Sequence, residues 1–378
     1  MKPQTPGFAF RVVAQAGHAR AGVLTTPRGD VETPTFMPVG TQGAVKTLVP
    51  DEVAATGARI VLGNTYHLWL RPGAEAVATH GGLHGFSRWP HAMLTDSGGF
   101  QAFSLAELRH TTEDGFMFRS HLDGAKKHLS PEEAMRAQGL IGADIAMQLD
   151  ICAPGTAPRD EVIAALERTT RWARRCIAAK RPDQALFGIV QGGMDVELRR
   201  AHAEELATLP FDGLALGGFS VGEPIDIMHA TVAEVAHRVD AERPRYLMGV
   251  GTPRDLVHCI LSGIDMFDCV LPTRNARNGQ ALSRRGRVVL KQARFKDDLS
   301  PIDDECGCPC CRGGFSRAYL RHLFQAKEVT ALRLLSVHNL WTYGALVREA
   351  RQAVLDGAIS AFQHRWARAG LAETDVVR

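Results

Sequence analysis

The stretch Met266-Phe267-Asp268-Cys269-Val270-Leu271-Pro272-Thr273-Arg274-Asn275-Ala276-Arg277-Asn278-Gly279 sets an acid in a short apolar run, with two arginines three residues apart beyond it. A carboxylate at the end of a buried strand is costly unless it is paired or used. Guanidinium groups grip phosphate bidentately, so Arg274 and Arg277 point to a polyanionic substrate. The segment reads as a nucleophile or acid/base next to a phosphate clamp on a loop. A second acid, Asp96, opens Asp96-Ser97-Gly98-Gly99-Phe100-Gln101. Its glycines let backbone N–H groups approach a ligand, although Asp-Ser-Gly-Gly also makes a plain Asx turn. A third, Asp150, closes the run 144–151. Two carboxylates around an anomeric carbon cleave glycosidic bonds through a covalent intermediate. Gln191, in Gln-Gly-Gly, and Gly217-Gly218 add amide donors and bare backbone suited to the edge of a planar heterocycle. Tyr246 and Met248 either enclose such a ring or are simply buried in a strand.

Cys306-Gly307-Cys308-Pro309-Cys310-Cys311 is the other chemical signal. Four thiols this close cannot form sound disulfides among themselves, so in a reducing compartment they read as metal ligands. A tetrahedral zinc needs a ligand from a distant segment, and His338 in Ser-Val-His-Asn is the best donor. Cys-x-Cys-x-x-Cys uses Cys306, Cys308 and Cys311 and leaves Cys310 aside. A Cys₃His site has no open position, so this Zn2+ is structural.

The elements that carry these residues recur along the chain. Apolar runs at 36–42, 59–65, 92–99, 144–151, 185–193, 213–219, 245–251 and 265–272 each end in a polar or glycine-rich segment. Helix-like stretches separate most of them, including one opened by Ser130-Pro131-Glu132-Glu133, which matches a capping box. Continuous apolar strands alternating with helices mean a parallel sheet. Eight units over about 240 residues predict a (β/α)₈ barrel, with chemistry at the carboxyl ends of the strands. A doubly wound open sheet is the competing architecture, but eight units are many for one. The first ~35 residues predict a β-hairpin capping the barrel's bottom. Residues 1–378 are then one barrel domain, with a zinc-binding subdomain at 280–345.

Composition bounds the rest. The chain has 378 residues, 45% apolar and 22% charged, with a net charge of +3, which is globular and too weakly basic to argue for nucleic acid by itself. The basic run 283–296 reads either as a solvated hairpin or as a nucleic-acid contact. No stretch has the apolar length of a membrane span, and the first residues lack the core of a signal peptide. The expectation is a cytoplasmic protein with reduced thiols.

The segments LGNTYHLWLRPG (62–73), LTDSGGFQ (94–101), FGIVQGG (187–193), GVG (249–251), MFDCVLPTRNARNG (266–279) and CxCxxC with a distal histidine run in order over nearly the whole chain. In these the sequence resembles the bacterial tRNA-guanine transglycosylases, the queuine tRNA-ribosyltransferases. The resemblance implies a homodimeric barrel enzyme, a pentosyltransferase. It would exchange guanine at the wobble position of GUN-anticodon tRNAs for a 7-deazaguanine base, preQ1 or, in a salvage version, queuine. It implies Asp268 as the covalent nucleophile and Asp96 as the proton acceptor and donor. The base site would comprise Asp96, Ser97, Gly98, Gly99, Phe100, Asp150, Gln191, Gly218, Tyr246 and Met248. The anticodon loop would lie on Gly249, Val250, Gly251, Thr252, Pro253, Arg254, Asp255, Thr273, Arg274, Asn275, Ala276 and Arg277. The chain departs from the bacterial pattern at Ile151 and at Phe219-Ser220, beside the base pocket. A barrel glycoside hydrolase would also use two carboxylates but needs neither an arginine-rich segment nor a zinc knuckle. A non-catalytic tRNA-binding subunit should lack one of the acids Asp96 and Asp268.

Overall fold

Eight short parallel strands close on one another in the computed structural model, which describes residues 5–104, 109–369 and 371. In chain order they are Thr35–Gly40, Ile60–Gly63, Ala92–Thr95, Ile145–Met147, Ala185–Val190, Gly213–Leu216, Arg245–Leu247 and Met266–Cys269. The eighth pairs back onto the first, with Asp268 opposite Met37, so the barrel has no free edge. Nearly every strand residue is buried, because barrel strands face side chains inward and helices outward. The strands are shorter than the apolar runs. Three stop just before the polar residue of interest, Gly63 before Asn64, Thr95 before Asp96 and Val190 before Gln191, and Leu216 stops before the glycine pair Gly217-Gly218.

The amino-terminal cap is a three-stranded antiparallel sheet, Ala9–Ala16, Ala19–Thr26 and Gly29–Thr33, rather than a hairpin. Phe8, Leu24 and Val31 pack against Ile60, Ala92, Ile145, Ala185 and Met266, all at the amino ends of barrel strands. That closes the bottom. Arg20 pairs with Asp265 beneath the eighth strand and donates to the Ala241 and Arg243 carbonyls.

A second three-stranded sheet, Arg109–Thr111, Phe116–Arg119 and Lys126–Leu129, sits between the third and fourth barrel strands. Phe116, Phe118 and Leu129 bury one face in the same core as Tyr66 and Trp172. Ser130 caps the helix Pro131–Ile141 by accepting from the Glu133 N–H at 3.1 Å. The capping box is only half made: the Glu133 carboxylate accepts instead from Trp69 Nε1 and Arg136.

Beyond the barrel, Gln280–Ser283 and Gly286–Val289 form a hairpin. Its basic run is partly committed inside the chain, with Arg284 paired to Glu349 and Arg285 to Asp304. The helix carrying His338, Val329–Asp356, runs past residue 345 and packs on the segment Leu271–Arg277 and on the first barrel strand. Tyr343 from this helix donates to the Gly251 carbonyl, tying it to the barrel mouth. Residues 1–4, 105–108, 370 and 372–378 of the expected 1–378 domain lie outside the described residues.

Candidate active site

Asp96 follows the third strand directly. Its carboxylate accepts from the Thr65 N–H at 2.8 Å and from the Asn64 amide at 2.5 Å. Asn64 is also the N-cap of the helix Thr65–Leu70, so the turn after the second strand grips the acid of the third. Asp96 is 8% exposed, and burial, then the nearby Asp268 and Asp150, push its carboxyl up to about 7 against the lowering effect of Thr65. Gly98 has φ +78° and lies so near Tyr66 that a Cβ would come within 3.2 Å of its backbone nitrogen. Ser97 Oγ accepts from Gly99 N–H and faces Asp150 at 3.4 Å, while Phe100 stays exposed at the rim.

Asp150 accepts from the Gln191 carboxamide at 2.6 Å, and burial pushes it up to about 6. Gln191 in turn lies against Gly217 and Gly218. A Cβ on Gly218 would sit 2.4 Å from Gln191 Oε1, so only glycine lets the sixth strand's turn approach the amide. The Gln191 N–H donates to His202 Nδ1 at 2.9 Å.

Asp268 is half-buried in the eighth strand. One oxygen accepts from the Tyr246 hydroxyl at 2.6 Å and from the Gly249 N–H at 2.8 Å. Burial raises its carboxyl, while these two donors favour the anion. Tyr246 is thus aimed at the acid from inside the barrel rather than offered as a free ring face, and Met248 lies just past the seventh strand. Cys152 and Cys269, the thiols beside Asp150 and Asp268, are pushed up to about 12 by burial. Neither competes as a nucleophile at neutral pH.

The arginine segment Leu271–Arg277 is a short helix, not a loop. Arg274 is exposed, Asn275 and Arg277 are half-buried, and Thr273 and Ala276 are buried. Arg277 keeps one buried guanidinium nitrogen without a partner. In the segment 249–255, Gly249 and Arg254 are exposed and Thr252 is half-buried. Val250, Gly251, Pro253 and Asp255 are buried. Thr252 and Asp255 form a capping box, and the Asp255 carboxylate also meets His229 at 2.9 Å. Asp255 therefore shapes the loop and does not present a contact. Sequence reading missed this, and missed the supports Thr65 and His202. The Thr-x-x-Asp spacing was the available signal for the cap.

Cys306, Cys308, Cys311 and His338 bring one donor atom each within 4.8 Å of the others. His338 Nδ1 lies 3.6, 3.4 and 3.4 Å from the three sulfurs in turn. Zinc–sulfur and zinc–nitrogen bonds of about 2.3 and 2.0 Å in a tetrahedron put ligand atoms ~3.5 Å apart, so the cluster fits a metal ion. His338 Nε2 meets the Leu282 carbonyl at 2.8 Å, which leaves Nδ1 free of hydrogen and able to ligate. Cys310 is buried outside the cluster.

The sequence that builds this barrel matches known proteins over nearly its whole length. The family model described as queuine tRNA-ribosyltransferase matches residues 15–371. A queuine tRNA-ribosyltransferase of Sorangium cellulosum is 70% identical over 96% of this chain and 92% of its own. Those of Pelotomaculum thermopropionicum and Moorella thermoacetica are 53% and 51% identical, each over 94% of this chain and 96% and 95% of their own. The agreement extends from the amino-terminal sheet to the end of the described residues, and on it this chain belongs to the queuine tRNA-ribosyltransferase family.

Proposed function

We propose that this protein exchanges guanine at the wobble position of GUN-anticodon tRNAs for the 7-deazaguanine preQ1, by double displacement through Asp268. The observation that carries this reading is the pairing of unlike acids at one mouth. Asp268 accepts from two donors that favour its anion against the raising effect of burial, and burial pushes Asp96 further, up to about 7. The Asp268 carboxylate attacks C1′ of the ribose and the C1′–N9 bond breaks. The electron pair goes to N9, and Asp96 gives its proton to the departing guanine. Asp96 then takes the N9 proton of the incoming base, whose nitrogen attacks C1′ and releases the Asp268 carboxylate. Atoms and charge return to the start. The base edge is read by Asp96, Asp150, Gln191 and the Gly218 backbone, with Ser97, Gly98, Gly99, Phe100, Tyr246 and Met248 around it. The wobble nucleotide must be splayed from its stack to enter. Gly249, Thr252, Arg254, Arg274, Asn275 and Arg277 supply the surface for the anticodon loop.

The Cys₃His cluster holds a structural Zn2+ in a subdomain centred on 280–345, and the enzyme works as a cytoplasmic homodimer. Among the described residues no helix is long and apolar enough to cross a membrane. Phe219 and Ser220, the latter at φ +58°, stand beside Gly218 where the bacterial pattern has Leu-Ala, and queuine is the alternative incoming base.

Incubating the enzyme with a GUN-anticodon tRNA and preQ1 or queuine in parallel, followed by mass spectrometry of the wobble nucleotide, separates the two bases. A covalent enzyme–tRNA adduct should survive a denaturing gel and vanish in Asp268→Asn. Guanine exchange at the wild-type rate in that variant would falsify the nucleophile.

A further inference from the structure

Arg199 is fully buried in the helix Val196–Ala207. A buried guanidinium is expensive unless its donors are satisfied. This one is held mainly by carbonyl oxygens. Nε donates to Gly193 O at 2.6 Å, Nη1 to Val190 O at 3.4 Å and Nη2 to Gly218 O at 3.4 Å. Its carbon lies 3.8 Å from the centre of the Phe219 ring, a cation–π contact. Burial pushes Arg199 down to about 9, with Glu223 and Cys152 acting to raise it, so it is cationic at neutral pH. Glu223 spends its carboxylate on the Ser220 and Val221 N–H groups. One turn of helix away, His202 Nδ1 accepts from Gln191 N–H.

The contacts of Arg199 are distributed in a particular way. Val190 and Gly193 flank Gln191 on the turn after the fifth barrel strand. Gly218 and Phe219 are the turn after the sixth. We propose that Arg199 is a positioning residue that ties these two turns together and so fixes the gap between the Gln191 carboxamide and the Gly218 backbone. The inference rests on reading Gln191 and Gly218 as base-binding groups. Arg199 touches neither the base nor the tRNA. A planar fork suits the task because it reaches three carbonyls at once while stacking on a ring, which an ammonium cannot do. The helix thus holds both turns, through Arg199 to the sixth strand and through His202 to the fifth.

The test is steady-state exchange of radiolabelled guanine into a GUN-anticodon tRNA, with KM measured for each substrate. Arg199→Met should raise KM for guanine by about tenfold, the usual scale for misplacing a binding group. KM for tRNA should stay within about twofold, since the arginine helix is untouched. Arg199→Lys should fall between the variant and the wild type. Phe219→Leu removes the stacking surface and keeps the hydrogen bonds, so it reports even if Arg199→Met fails to fold. It should raise KM for guanine about threefold. Unchanged guanine KM in Arg199→Lys and Phe219→Leu overturns the proposal, as does a parallel rise of both KM values in Arg199→Met. Gln191→Ala runs beside them. If it leaves guanine KM unchanged, the reading of the base pocket fails; if it raises KM while the Arg199 and Phe219 variants do not, only the Arg199 inference falls.

Discussion

Asp96 is buried at the barrel mouth. Its folded pKa of about 7 exceeds the unfolded value of 3.8, so the native state binds this proton more tightly than the unfolded chain does. The associated stability is complete below about pH 4 and is lost as pH rises through about 7. Asp96→Asn mimics the protonated acid, with Asn64 turning its amide to match. The variant should therefore gain roughly 1–3 kcal/mol over wild type at pH 8, at about 1.4 kcal/mol per tenfold change in ionisation, and little at pH 4. Urea unfolding at the two pH values measures it. An equal difference at both would mean that Asp96 is ionised throughout. The proposed mechanism makes the same proton limit the rate. Exchange should rise with pH as Asp268 ionises and fall above about pH 7 as Asp96 loses its proton. A rate that stays flat from pH 6 to 9 would exclude Asp96 as the acid.

At the scale of elements, the barrel was legible because each strand is buried on both faces and so reads as an unbroken apolar run. The third strand of the cap, Gly29–Thr33, was not, since Gly-Asp-Val-Glu-Thr buries only Val31 and Thr33. The sheet between the third and fourth barrel strands was missed for a similar reason: Phe116 and Phe118 alternate with exposed residues, and their packing partners lie in distant segments. The bottom of the barrel depends on Arg20 and Asp265, which are 245 positions apart and were invisible to local patterning. Arg20→Ala would leave the buried Asp265 carboxylate without its guanidinium, at a cost of about 3–5 kcal/mol. Denaturant unfolding should show that loss, and Arg20→Ala together with Asp265→Asn should recover part of it. The Cys₃His cluster joins the segment 306–311 to the long helix in the same way. Cys308→Ala should abolish zinc retention and lower Tm, and retained zinc at an unchanged Tm would refute the assignment.

Across the whole molecule, the candidate acids were legible because each lies in or beside an apolar run, whereas most of the groups that hold them were not. Thr65 and Asn64 reach Asp96 from the turn after the neighbouring strand, and His202 reaches the Gln191 N–H from a helix, contacts that local patterning does not show. Charge shows the same division between local and global. The net charge of +3 is small, and much of the arginine is spent in internal pairs such as Arg284 with Glu349 and Arg175 with Glu132. Arg254 and Arg274 remain exposed on the segments that follow the seventh and eighth strands, and Arg277 retains a buried donor without a partner. Affinity for tRNA should therefore come from a few phosphate contacts at the mouth and not from a global field. The logarithm of the binding constant should fall linearly with the logarithm of salt concentration, by about 0.7–0.9 per phosphate neutralised. Arg274→Met should lower that slope by about one and weaken all GUN-anticodon tRNAs alike, because a phosphate contact carries no sequence information. Arg285→Met, in a pair with Asp304 on the hairpin, should leave the slope unchanged. If the two variants reduced it equally, the basic hairpin would be part of the tRNA surface and the contact would extend well beyond the anticodon loop.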